Sequence, residues 1–176
     1  MPNGDTTMKR SCYCSIALTA LAASVASYAI EGATPIGAAF TIAEPGRYVV
    51  TSDITYASTV ITINADRVEL DLDGHVLTST STSLPVIKVQ SQSHVRIHSG
   101  VLRGGREGVN ARTSSDTQLD GLQIIDPAGN GIEFWDSSGI SVRNCVIRDA
   151  GAAGIEIDSA LALPTGALID NLITAP

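Results

Sequence analysis

The sequence predicts an all-β solenoid: about five stacked coils of short parallel strands over residues 57–176, behind a leader and an N-terminal strand or cap segment. Three observations predict it. The first is internal self-similarity, because a short apolar element recurs at Ile61, Ile87, Val109, Ile132 and Ile155, at spacings of 26, 22, 23 and 23 residues. The second is the alternation inside each element, where apolar residues stand two apart, the period of a strand and not of a helix. The third is the punctuation: Ser91-Gln92-Ser93, Ser114-Ser115-Asp116 and Asp136-Ser137-Ser138-Gly139 separate elements too short to be helices. One such coil cannot bury its own apolar side, but stacking turns the recurring residues into a continuous interior ladder.

Residues 1–29 read as a signal peptide. Lys9 and Arg10, after a second methionine at Met8 that could be the true start, form a basic start. An uncharged apolar run from Ser15 to Ala26 follows, and Ala26-Ser27-Tyr28-Ala29 offers small residues for cleavage near Ala29. The run is roughly a dozen residues, short of the ~20 of a spanning helix, so no stable membrane span is expected. The protein is therefore expected to be secreted or periplasmic. Cys12 and Cys14 fall in this leader, which leaves Cys145 without a disulfide partner.

Residues 30–56 are expected to form the strand or cap segment, with Glu44-Pro45-Gly46 turning into Arg47-Tyr48-Val49-Val50. The coils follow. A second element aligns Leu70-Asp71-Leu72 with Val95-Arg96-Ile97, Thr117-Gln118-Leu119, Ile140-Ser141-Val142 and Gly166-Ala167-Leu168. A third apolar column runs through Leu77, Leu102, Ile124, Ile147 and Ile173. The repeats stop at Ile173-Thr174-Ala175-Pro176 in mid-coil, so the array reads as incomplete, and self-association through an uncapped last coil is one expectation.

Val68-Glu69-Leu70-Asp71-Leu72-Asp73-Gly74-His75 and the unit from Ile140 to Ile147 resemble repeats of the pectate-lyase-like superfamily of right-handed parallel β-helices. The resemblance covers residues 46–174. It implies a right-handed coil with three sheets per turn, and polysaccharide as the usual substrate class. Asn144, with Asp170 one coil later, resembles the superfamily's stacked turn asparagine. The catalytic motifs of its polygalacturonase, pectate lyase and alginate epimerase branches are missing; Asp126-Pro127-Ala128-Gly129 matches only half of the epimerase Asp-Pro-His-Asp.

Composition narrows the function. With 11 Lys and Arg against 18 Asp and Glu, a net charge of −7, the chain lacks the basic footprint of a nucleic-acid binder. Alternation sends Thr62, Lys88, Asn110, Glu133 and Glu156 outward in one column toward solvent. Glu133 and Glu156 then stand on neighbouring rungs ~4.8 Å apart. They are the candidate catalytic pair, since like charges so close raise one pKa. With Asp136 or Asp158 they could instead hold Ca²⁺, or simply wet the surface of an acidic protein. Trp135, flanked by Glu133 and Asp136, offers a flat apolar face to a sugar ring, so Trp135, Asp136 and Asp158 are the candidate substrate-binding residues. No resident metal is otherwise expected. Asp71, Asp73 and His75 form a polar cluster in which Asp-Gly reads as turn chemistry. His94 and His98 are expected in solvent, too scattered for copper. Two functions remain: an exported β-helix that binds or processes polysaccharide, or a non-catalytic structural or adhesive module or part of a longer β-helix protein.

Overall fold

A computed structural model describes residues 32–158 and 166–174, and in them every regular element is a strand. The leader, with Cys12, Cys14 and Ala29, lies outside the described residues. The strands stack in parallel into two sheets. The short sheet has six strands: Phe40–Ile42, Ile61–Ile63, Ile87–Gln90, Val109–Arg112, Ile132–Trp135 and Ile155–Asp158. The long sheet has eleven and wraps the rest of each coil, as in Ser93–Gly104 and Ser115–Ile125, each bent at its middle.

The interior column is present in full register. Ile61 pairs with Ile87, Ile87 with Val109, Val109 with Ile132 and Ile132 with Ile155. The first four are fully buried. Phe40 pairs with Ile61 below them, so the short sheet has one rung more than the five coils counted. Within the segment 30–56, Phe40–Ile42, Gly46–Val50 and Ile54–Tyr56 stack in register on the next coil, and Ala33–Ile36 pairs along Gly46–Val50.

Two sequence alignments shift. In the first long-sheet column the partner of Val95 is Val68, not Leu70, and Leu70 pairs with Ile97. The slip is two residues, so the alternation survives it: Leu70 and Leu72 are still buried. Asn144 and Asp170 stack as successive left-handed corners, at φ of 53° and 52°, but the side chain that satisfies main-chain groups of the neighbouring coil is that of Asn171. Asn171 Oδ1 accepts the Cys145 N–H at 3.0 Å, and its Nδ2 donates to the Val142 carbonyl at 3.0 Å. Asn144 Nδ2 instead reaches outward to Asp120 at 3.0 Å.

The coil turns on single residues in the left-handed region, stacked corner over corner. Ser91, Thr113 and Asp136 leave the short sheet at φ of 56°, 52° and 47°. Arg67, His94 and Asp116 enter the long sheet at 53°, 57° and 50°. Most such corners are short polar residues, which tolerate this conformation best. The return to the short sheet is longer and is built as a stacked wall. Ala128 N–H donates to Gly105 O, Gly129 N–H to Arg106 O, Gly151 N–H to Pro127 O and Ala152 N–H to Gly129 O. Gly108, Gly131 and Gly154 close this corner. A Cβ on Gly131 would lie 2.5 Å from the Gly154 carbonyl oxygen and 2.5 Å from Ile147.

At the last described rung the interior column opens. Leu168 and Ile173 are 52% and 49% exposed although they sit in register over the buried Val142 and Ile147.

Candidate functional site

The wall of return loops changes the chemistry of the short sheet's outer face. Asn110 and Glu133 point away from the interior, as alternation requires, and Asn110 pairs in register with Lys88 and Glu133. They are nevertheless not in solvent: each is only 5% exposed. The expectation of a wet ladder fails at these two positions because the loop ending in Glu107 supplies a side chain of its own. Glu107 is 2% exposed.

Around Glu133 the donors converge. Asn110 Nδ2 donates to Oε2 at 3.1 Å and Arg112 Nη2 to Oε1 at 3.1 Å, while Arg112 Nε donates to Asn110 Oδ1 at 3.2 Å. Glu107 completes the group through a hydrogen bond with Glu133, and Arg106 Nε lies 3.0 Å from Glu107 Oε1. Burial pushes the Glu107 carboxyl up from 4.5 to about 7. The hydrogen bond and the negative charge of Glu133 act in the same sense, and Arg106 and Arg112 oppose them. Near neutral pH Glu107 is therefore poised between its protonated and ionised forms, with Glu133 as its hydrogen-bond partner. Such a pair can pass a proton to a bound group.

The expected pair is arranged differently. Glu133 and Glu156 do occupy adjacent rungs in register. Each turns to its own partners: Glu156 accepts a short hydrogen bond from Asn130 Nδ2, and Asn130 Oδ1 takes the Ala153 N–H at 3.0 Å. The carboxyl that meets Glu133 is Glu107. Sequence reasoning passed over it because it lies in a loop, outside the alternating elements. The available signal was columnar: Gly108, Gly131 and Gly154 align, so Glu107 and Asn130, which precede the first two, stack beside the outward column.

Trp135 is 42% exposed, and the Arg112 guanidinium carbon stands 5.5 Å from its ring centroid. It pairs in register with Arg112 on one side and Asp158, which is exposed, on the other. Asp136 is the corner residue after it, its N–H donating to the Asp158 carbonyl at 2.8 Å. Beside this group Lys88, Gln90, Arg106, Glu107, Asn110 and Arg112 line a cleft of about 240 Å³, together with the loop residues Ser83, Leu84 and Pro85. Among the described residues no three His, Cys, Asp or Glu side chains are grouped to hold a metal ion.

The other candidates disperse. His75 Nδ1 lies 3.2 Å from Asp53, which also accepts the Val76 N–H and whose carboxyl is held below its usual range by that amide first and by His75 second. His94 is exposed as expected, 3.3 Å from Asp116. His98 is not in open solvent: its ring is held between Asp71 and Glu69, each 3.4 Å from one ring nitrogen.

A family model described as a right handed beta helix region matches residues 51–175. No curated protein matches the sequence. Among solved structures, a proposed glycosyl hydrolase from Parabacteroides merdae ATCC 43184 is similar at 14% identity and a TM-score of 0.37, over 74% of this chain and 76% of that one. Likeness at that level carries no functional argument. The stacked parallel rungs and the family match over most of the chain agree: this protein belongs to the right-handed β-helix family.

Proposed function

We propose that this β-helix binds acidic polysaccharide across the outer face of the short sheet and acts on it with the Glu107–Glu133 pair. The observation that carries the reading is the cleft itself. In a chain of net charge −7, Lys88, Arg106 and Arg112 line one recess, beside a half-exposed Trp135 and above a carboxyl with a pKa of about 7. The cations suit sugar carboxylates and the indole suits a sugar ring. Glu133, held by Asn110 and Arg112, takes the proton from the sugar carbon beside the uronate carboxylate, and Glu107 gives its own proton to the departing glycosidic oxygen, so the C–O bond breaks as a carbon–carbon double bond forms in the sugar. Export by the leader-like segment 1–29, to the periplasm or the exterior, belongs to the same proposal.

Calorimetric titration with a galacturonate oligomer and a neutral glucose oligomer tests it. The acidic oligomer is expected to bind, Trp135→Ala and Lys88→Ala each to weaken binding about tenfold, and Glu107→Gln to abolish any turnover while leaving binding in place. A second reading, a non-catalytic scaffold, is favoured by one observation: Glu133 is buried and its oxygens are already taken by protein donors. Absence of binding to either oligomer would decide for the scaffold.

A further inference from the structure

The long sheet carries a second charged recess, away from the cleft. In its outward column Arg47, Glu69, Arg96 and Gln118 follow one another in register. Arg67, His94 and Asp116 stand at the adjoining corner, where left-handed backbone turns each of them. Together they line a recess of about 390 Å³.

Counting donors shows which of these groups are already engaged. Arg47 Nε donates to Glu69 Oε2 at 2.9 Å, and His94 Nε2 lies 3.3 Å from Asp116 Oδ2. Arg96 reaches an acid only at 3.8 Å, to Asp120, which is beyond hydrogen-bond distance. Arg67 has no side-chain hydrogen bond or ion pair among the described residues. Asp66 beside it is occupied, accepting the Ser93 N–H at 2.7 Å. Two guanidiniums therefore present unused forks of N–H donors to one recess. Three guanidiniums there face two carboxylates, the reverse of the balance over the whole chain. A planar carboxylate matches a guanidinium fork bidentately, and an acidic sugar chain carries one such group on each residue.

We infer that Arg67 and Arg96 form a second binding site, which takes the carboxylate of a uronate residue on the long sheet. The inference rests on the acidic-polysaccharide reading for the class of ligand and not on the short-sheet cleft. Two separate contacts on one rigid coil would let a long chain bind more tightly than either contact alone.

Side-chain spectra of the full chain labelled with ¹⁵N-arginine, with calorimetry, test it. A galacturonate oligomer is expected to move the Arg67 and Arg96 Nε signals, and a neutral glucose oligomer to leave them in place. The Arg67→Ala/Arg96→Ala double variant, whose residues are exposed and whose fold is checked by circular dichroism, is expected to lose one of two binding events, weakened about tenfold or more. In Lys88→Ala that event should persist. If the double variant binds as the wild type does, and Lys88→Ala does not, this inference is overturned and the short-sheet reading stands. No binding of any acidic oligomer overturns both. A sulfated oligomer that moves the two signals where the galacturonate oligomer does not overturns the assignment to a carboxylate.

Discussion

The short and long sheets expose outward ladders built on the same rung spacing, yet one hides charge and the other displays it. On the long sheet Arg47 and Glu69 meet at 2.9 Å with side chains 51% and 32% exposed. On the short sheet Arg112 and Glu133 meet at 3.1 Å with Glu133 almost wholly covered. The difference lies in the connection beside each sheet. The long sheet is entered through single left-handed residues, which are too short to cover a neighbouring side chain. The short sheet is entered from the stacked return loops, tall enough to place Glu107 over the ladder. An identical ladder thus gives a screened surface pair in one place and a proton-holding pair in the other.

The largest effect should come from breaking the wall where it joins the short sheet. Gly131→Ala sets a methyl group against the Gly154 carbonyl and Ile147 and should cost about 3 kcal/mol in urea denaturation, against near zero for a glycine change at the open Gly121 position scored by retained φ > 0 with asparagine. Next comes the pairwise contrast between faces. Glu133→Ala strands Arg112 and Asn110 and should cost about 2–3 kcal/mol, whereas Glu69→Ala should cost about 0.5 kcal/mol or less, both read by the same unfolding curves.

Smaller again is the pH response of Glu107. Its carboxyl is raised in the folded chain from 4.5 to about 7, so the folded state holds the proton that the unfolded state releases. The resulting stability is whole below pH 4.5 and drains away as the pH climbs toward 7. The loss should be on the order of 2 kcal/mol, less than the full shift because the cleft opens to water. Glu107→Gln should remove it, giving a flatter profile of unfolding free energy against pH. The smallest effect should be a gain. Thr117 is fully buried in a long-sheet interior column, stacked on Val95, and its hydroxyl has no hydrogen-bond partner among the described residues. Thr117→Val should raise stability by about 1 kcal/mol, seen as a higher urea midpoint.

Much of the fold was legible because interior columns are made by residues that repeat. Ile87, Val109 and Ile132 could be stacked on paper from spacing and alternation alone. The slip at Val68 arose because Val68-Glu69-Leu70 and Leu70-Asp71-Leu72 carry the same alternation, so periodicity cannot choose between registers two residues apart. The site was less legible. Alternation says which way Glu133 points from its strand, but not what stands beyond it. Its burial comes from Glu107 in the return loop of the neighbouring coil, and loops carry no period to align. Trp135 could be read as exposed from its strand, yet its guanidinium neighbour follows only from the pairing of Arg112 with it.

The most direct test is a ¹³C titration of the glutamate carboxyls in the wild-type chain and in Glu107→Gln. One carboxyl titrating near 7, absent from Glu107→Gln and displaced downward in Glu133→Gln, is the predicted result. A spectrum in which every glutamate titrates in the ordinary carboxylate range would contradict the buried pair, and with it the proton donor of the short-sheet cleft.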